Sequence, residues 1–321
     1  MTTDRTEHIV QKDGMSFVTF DILEKAGFVR HGIAARTGGV STGCFESLNL
    51  SYSSGDQREN VEENFRRAGS FFGVSPDHMI APWQTHTAEV MRVGEESLGR
   101  GVTRERLVPD CDGLITDVPG IMLNTSHADC TPILLADPVR KAVAAVHSGW
   151  RGTAGRIGQR AVEAMRKEFG TDPADILAAI GPCNCGRCYE VGPEVAEVFM
   201  EMFGAQTALA APDVSAFSAD AAKRPADPAG LSGEPTYSSG AYFRSAAGAM
   251  GPMLKARENG KYFLDQKAIN FRILTDAGIR PEHIAVSALC TYERSDLFYS
   301  HRKMGPKRGG FRSFIGILEE E

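Results

Sequence analysis

Five short apolar runs, at 121–123, 133–136, 143–146, 176–180 and 284–289, carry no charged residue at all. Runs of that length suit strands buried on both faces, so each needs a covering layer on either side. Segments with helical spacing lie between them. From Asp56 the chain reads D-Q-R-E, an N-cap with Glu59 three residues on, followed by Val61, Phe65, Ala68 and Phe72 and a stop at Gly73. Over 153–169 the residues Ile157, Ala161, Val162, Met165 and Phe169 form one stripe, closed by Gly170. Further helices are expected from Pro193, with Val195, Val198, Phe199 and Met202, and from Asp265, with Ile269, Ile273 and Leu274. Strands and helices interleave without a strict βαβ rhythm, which predicts a mixed α and β class with helices covering sheet.

A chain of 321 residues allows two modest domains or one large one. Its formal net charge of −6 supplies no positive field for a polyanion, which argues against nucleic acid as a partner. With 42% hydrophobic and 24% charged residues it can bury a sizeable core. The stretch 205–240 differs: rich in Ala, Ser, Pro, Gly and Asp, it reads as a mobile surface insertion. The first residues lack the apolar core of a signal peptide and no apolar run approaches membrane-spanning length, so a cytoplasmic protein without a membrane partner is expected. Seven cysteines are an odd number, better suited to metal ligation or thiol chemistry than to a disulfide scaffold.

The informative block is 110–152. Cys130 follows one strand, His147 ends the next and precedes the Gly-rich turn SGWRG, and upstream the sequence Trp83-Gln84-Thr85-His86 follows Pro82. Polar groups at strand ends are where α/β proteins tend to place sites. Two imidazoles and a thiolate suit zinc and leave a fourth position open, as a catalytic site requires. His147 lies 17 residues beyond Cys130, too far for a zinc finger. On residue types and spacing alone, a buried free thiol with two hydrogen-bonded histidines is the stronger reading.

Seven ordered strings resemble the YfiH-type family, also called laccase-domain or multicopper polyphenol oxidase: HGIAARTGGVSTGCFESLNLS (31–51), QTH (84–86), DGLITDVPG (112–120), HADCTPILLADP (127–138), AVHSGWRGT (145–153), IGPCNCGRCYEVGPEV (180–195) and CTYE with FYSHR (290–302). The resemblance implies a single domain over 15–318, an α+β fold built as an α/β/β/α layered sandwich with mixed sheets, and a mononuclear zinc on His86, Cys130 and His147. Copper is the alternative ion, since it outranks zinc at such ligands. The family also implies purine nucleoside chemistry: phosphorolysis of adenosine, inosine and S-methyl-5'-thioadenosine, and deamination of adenosine. A four-copper laccase is not expected, because such enzymes need about ten histidines, many in H-x-H pairs, whereas this chain has eight and no such pair.

Under that resemblance a zinc-activated water would attack purine C6 in the deamination. Arg36, in the RTGGVS turn, is a candidate catalytic cation; Asn49, Arg151, Cys183, Tyr189 and Arg302 are candidates for substrate or phosphate binding. Asp129, beside Cys130, could act as acid or base, or could orient a histidine, the preferred role. His127 is left out of the site. Relatives often carry Gly-Arg before the last strand where this chain has Gly309-Gly310, which shifts attention to Arg308. The segment Cys183-Asn184-Cys185-Gly186-Arg187-Cys188 departs from the family's GPCIGPCCYEV at Cys185 and Arg187, and as an iron–sulfur or zinc-knuckle site it lacks a fourth thiol. Two further classes stay open: a metal-independent hydrolase or amidase with Cys130 as nucleophile and His147 as base, and an editing factor in peptidoglycan-precursor synthesis. The expected partners are purine nucleosides and phosphate, with the chain a monomer or homodimer.

Overall fold

The computed structural model describes residues 7–204, 208–209 and 253–319. Two six-stranded mixed sheets dominate it. The first runs in the order Glu7–Lys12, Met15–Phe20, Val29–Ala34, Phe311–Ile317, Met122–His127, Met79–Ile80. The second runs Ile284–Val286, Leu177–Ile180, Thr131–Asp137, Ala142–Ser148, Gly113–Thr116, Val90–Arg92.

Period-2 alternation along these strands builds the layers. In Thr131–Asp137 the side chains of Leu134 and Ala136 enter one cluster with Val18, Ile33, Leu123 and Ile315 of the other sheet, while Ile133 and Leu135 turn away towards helix Ile157–Phe169. Helix Arg58–Phe72 covers the far face of the first sheet with Val61, Phe65, Ala68 and Phe72 against Phe17 and Phe314. The result is the layered α/β/β/α sandwich that the charge-free runs demand, with both faces of each sheet covered. A small third sheet, Glu190–Val191, Tyr262–Leu264, Leu254–Ala256 and Ala208–Leu209, packs beside helix Pro193–Phe203. Of the stretch 205–240 only Ala208–Leu209 is among the described residues; the rest of the expected insertion lies outside them.

Three local departures have physical reasons. Strand Glu7–Lys12 extends the first sheet ahead of residue 15; it is an edge strand, mostly exposed, so its sequence carries no apolar alternation. The helix after Asp56 starts at Arg58 with Gln57 at the N-cap position and no side-chain cap, while the Asp56 carboxylate accepts from the Ser41 hydroxyl (2.6 Å) and the Asn49 amide (2.9 Å) instead. The expected helix over 153–169 is divided into Trp150–Ala154 and Ile157–Phe169 by Arg156 in the left-handed region, φ 57°. The stops at Gly73 and Gly170 are both left-handed C-caps, and Asp265 caps helix Gln266–Asp276 by accepting from the Ala268 amide. Among the described residues no helix is long and apolar enough to cross a membrane.

Candidate metal centre

Register decides what meets at one end of the sandwich. Gly113 pairs with Val146 in the antiparallel ladder, so Asp112 faces His147 one step further on, and the His147 amide donates to the Asp112 carbonyl at 2.8 Å. Side chains of such a pair share a face. On the other edge of the same strand Thr131 pairs with Ser148, which leaves Cys130 just beyond the ladder. Cys130 ends the connection between Met122–His127 of the first sheet and Thr131–Asp137 of the second. His86 arrives on the turn that follows strand Met79–Ile80.

The donor atoms of His86, Cys130 and His147 all lie within 4.8 Å of one another. Cys130 Sγ is 4.0 Å from His86 Nε2, and the two imidazoles meet edge to face with centroids 5.0 Å apart. His147 is buried, Cys130 half-buried and His86 exposed, which leaves the group open on one side. The backbone holds the arrangement in uncommon conformations: His86 has φ 63° and Asp129 φ 90°.

Asp112, fully buried, organises the group. Its Oδ2 lies 2.6 Å from His147 Nδ1, so the other ring nitrogen, Nε2, faces the centre. Its Oδ1 accepts from the Thr87 amide (2.7 Å) and hydroxyl (2.9 Å), and the Thr85 and His86 amides approach the carboxylate at 3.2 Å. One carboxylate therefore orients the His147 ring, as partners of metal-bound imidazoles do, and holds the backbone that carries His86. Sequence reasoning missed it, because only the strand register brings residue 112 to residue 147.

Burial pushes the Cys130 thiol up, but the neighbouring His147 charge, helped by His86, outweighs it and holds the thiol down to about 6. Burial pulls His147 down; the charge of Cys130 and the Asp112 hydrogen bond prevail and raise it to about 9. Gly149 supplies the space. A Cβ there would stand 2.8 Å from His86 Cδ2, 3.3 Å from Cys130 Sγ and 3.6 Å from His147 Cε1. Two imidazoles and an acidified thiol around a hollow that only glycine leaves open fit a divalent ion with three protein ligands.

The other candidate residues divide into those near this centre and those engaged elsewhere. Asp129 holds loops: its Oδ1 accepts from the Thr291 hydroxyl and its Oδ2 from the Arg302 amide, both at 2.6 Å. The exposed Arg302 guanidinium lies 5.3 Å from the centre of the Tyr189 ring, whose hydroxyl is pushed up by burial and by the charges of Cys130 and Asp129. Arg308 is half-buried, feels the charges of Asp129 and Cys130, and carries a buried Nε with no hydrogen-bond partner. Arg151 is exposed above the Trp150 ring at 4.2 Å. Cys183 is fully buried and its thiol is pushed up to about 12, chiefly by burial.

Arg36 instead donates to the carbonyls of Glu46 (2.7 Å) and Ser295 (3.2 Å) and lies over the Tyr299 ring. Asn49 is fully buried, with both amide hydrogens given to Ser54 and Asp56 and its oxygen accepting from the Ser51 and Gly310 amides. His127 braces the loop, its Nδ1 3.2 Å from the Cys130 carbonyl and its Nε2 2.8 Å from the Thr125 hydroxyl.

Residues 30–226 and 233–318 match the family described as multi-copper polyphenol oxidoreductase laccase. The chain is 32% identical over 291 residues to the purine nucleoside phosphorylase YlmD of Bacillus subtilis, covering 90% of this chain and 88% of that one. It is 29% identical over 305 residues to the adenosine deaminase RL5 of an unknown prokaryotic organism, covering 93% and 99%. The crystal structure of YlmD from Geobacillus stearothermophilus superposes with a TM-score of 0.77 at 28% identity, covering 98% of this chain and 100% of that one.

Proposed function

The chain belongs to the multi-copper polyphenol oxidoreductase laccase family, and from that premise we propose that it is a zinc-dependent purine nucleoside phosphorylase with adenosine deaminase activity. Its substrates in this reading are adenosine, inosine and S-methyl-5'-thioadenosine, with phosphate as co-substrate. The observation that carries the proposal is the convergence of His86, Cys130 and His147 within 4.8 Å around the hollow at Gly149. The names of the curated relatives point to the same two reactions. Of the eight histidines, all of them described, His86 and His147 are the two that join such a ligand group, which favours one ion over a cluster of coppers.

His86, Cys130 and His147 would hold the ion, and Asp112 would fix the orientation of the His147 imidazole and the backbone of the His86 turn. Bound there, zinc supplies Lewis-acid chemistry for activating water or a substrate oxygen. Phosphorolysis breaks the C1′–N9 bond and forms a C1′–O bond, so a phosphate dianion must be held beside a departing purine. Arg308 offers a half-buried guanidinium with an unpartnered Nε, and Arg302 and Arg151 offer exposed ones. Arginine forks match phosphate oxygens in pairs. Tyr189 and Trp150 place aromatic faces under Arg302 and Arg151 and so limit where those cations can reach. Asp129, with both oxygens engaged, acts by holding the Thr291 and Arg302 loops in place.

The test is product analysis of purified, metal-quantified protein with adenosine, with and without phosphate, beside Cys130→Ser. Phosphate-dependent adenine and ribose 1-phosphate, with inosine formed in the absence of phosphate, are expected from the wild type and lost in the variant. No turnover of any purine nucleoside by zinc-loaded protein overturns the reading. One observation favours a second reading: the acidified Cys130 thiol beside a charged His147 is also a nucleophile and its partner. A metal-free protein that stays active and is inactivated by alkylation of Cys130 would establish that hydrolase or amidase instead.

A further inference from the structure

A second group of ligands lies outside the centre already described, and the fold assembles it from parts far apart in sequence. Cys185 and Cys188 form a Cys-x-x-Cys turn in which the amides of Cys188 (2.9 Å) and Tyr189 (3.0 Å) both donate to the Cys185 carbonyl. The partner strand is brought alongside by a parallel bridge between Cys183 and Cys290, and the Thr291 amide donates to the Cys183 carbonyl at 3.1 Å. From Cys290 the chain turns, its carbonyl accepting from the Arg294 amide at 2.8 Å, which brings Glu293 back over the same spot. The sulfurs of Cys185, Cys188 and Cys290 and a carboxylate oxygen of Glu293 all lie within 4.8 Å of one another. The two ligands that the Cys-rich segment lacks in sequence thus come from more than 100 residues downstream.

We propose that Cys185, Cys188, Cys290 and Glu293 form a second, structural metal site that takes zinc and clasps the 183–189 loop to the 290–302 segment. A tetrahedral zinc with sulfur at 2.3 Å and oxygen near 2.0 Å has ligand–ligand edges of about 3.5–3.8 Å. Glu293 Oε1 already stands 3.5 Å from Cys188 Sγ and 3.8 Å from Cys185 Sγ. The separations enclose one ion and leave no room for an iron–sulfur cluster, which also prefers four thiolates. Three thiolates select a soft or borderline ion, and the carboxylate favours zinc over monovalent copper.

The electrostatics around the group agree. Cys185 and Cys290 are buried, Cys188 half-buried and Glu293 exposed, so ions have a path in. The Cys185 amide donates towards Cys290 Sγ at 3.4 Å, a contact that suits a thiolate there. A divalent ion bound by three thiolates and a carboxylate keeps two negative charges, and the Arg187 guanidinium, 3.1 Å from Glu293 Oε1, offsets one of them. All three cysteines are free thiols, and three sulfurs cannot be consumed by disulfides among themselves.

The position gives the ion a task. The clasped segments carry Tyr189, Arg302 and Thr291, whose hydroxyl bonds Asp129 beside Cys130. An ion there would hold one wall of the first centre without touching its ligands.

The experiment measures zinc per chain by elemental analysis after purification without chelator, and thiolate–metal absorption after reconstitution with cobalt. Two zinc ions per wild-type chain are expected, falling to one in Cys185→Ser/Cys188→Ser and to one, of the other kind, in Cys130→Ser. Cobalt in Cys130→Ser should absorb with the intensity of three thiolates, and Glu293→Gln should weaken that binding while its fold persists. One zinc in the wild type, lost in Cys130→Ser alone, overturns the site. So does a cobalt spectrum of one thiolate, or a disulfide among Cys185, Cys188 and Cys290 in freshly purified protein. If the double variant fails to fold, the wild-type and Cys130→Ser cobalt spectra decide the matter alone.

Discussion

Asp112 Oδ2 and His147 Nδ1 stand 2.6 Å apart in a buried pair, and the same carboxylate collects the amides of Thr85, His86 and Thr87. Burial would raise the Asp112 carboxyl, and the His147 and Thr87 hydrogen bonds overcome it and hold it below the ordinary carboxylate range. Asp112→Asn keeps the shape and removes the charge. Metal affinity should fall about 10–100-fold, the usual cost of losing such a partner. Competition with a chelator measures it, and unchanged affinity would remove Asp112 from the account.

Gly149→Ala tests the hollow between the three ligands. The backbone there, φ −74° and ψ 169°, suits alanine, so the effect is confined to the added methyl, 2.8 Å from His86 Cδ2. A displacement of about 1 Å at a ligand should lower turnover roughly 100-fold. The melting temperature of the metal-free protein should hardly move. Full activity with full metal content would show that the ligands do not close around that point.

Arg308→Gln separates the two reactions. Losing a charge-assisted hydrogen bond worth about 1.5–3 kcal/mol should raise KM for phosphate about 10–100-fold. Deamination of adenosine, which needs no phosphate, should keep its rate. Equal losses in both reactions would mean that Arg308 holds the loop and not the anion.

His31 predicts an acid-sensitive fold. Burial lowers it from 6.5 to about 4, and the neutral ring accepts the Phe20 amide at 2.8 Å. Between those values the unfolded chain binds a proton that the folded chain refuses, so stability is full above 6.5 and declines as pH falls towards 4. The shift corresponds to about 3 kcal/mol. Urea unfolding across that range should show the decline, and His31→Gln should flatten it. An unchanged slope in the variant would place the acid sensitivity elsewhere.

What was legible in the sequence was what is local. Four of the charge-free runs became interior strands, covered on both faces, and the fifth the short edge strand Ile284–Val286, while the helices at Arg58–Phe72 and Gln266–Asp276 followed from spacing and caps. His86, Cys130 and His147 could be nominated through the motifs QTH, HADC and AVHSGW, since residue types and spacing alone fit a buried thiol and two hydrogen-bonded histidines. Asp112 was invisible because its value lies in its register against His147, and Glu293 because it meets Cys188 only through a turn 105 residues away. Edge strand Glu7–Lys12, with little to bury, leaves no apolar trace to read. Arg36 and Asn49 stood out as polar residues in a conspicuous motif, yet their hydrogen bonds go to the chain itself.

Cys130 stands where the chain crosses from one sheet to the other, so its thiol and the imidazoles of His86 and His147 can meet only after the two halves have stacked. Binding energy then accrues to the closed sandwich alone, in proportion to the logarithm of free ion over Kd. An ion in that seat would protect the finished stack alone: a chain whose halves dock out of step lacks the three converging ligands and would gain none of that protection against unfolding.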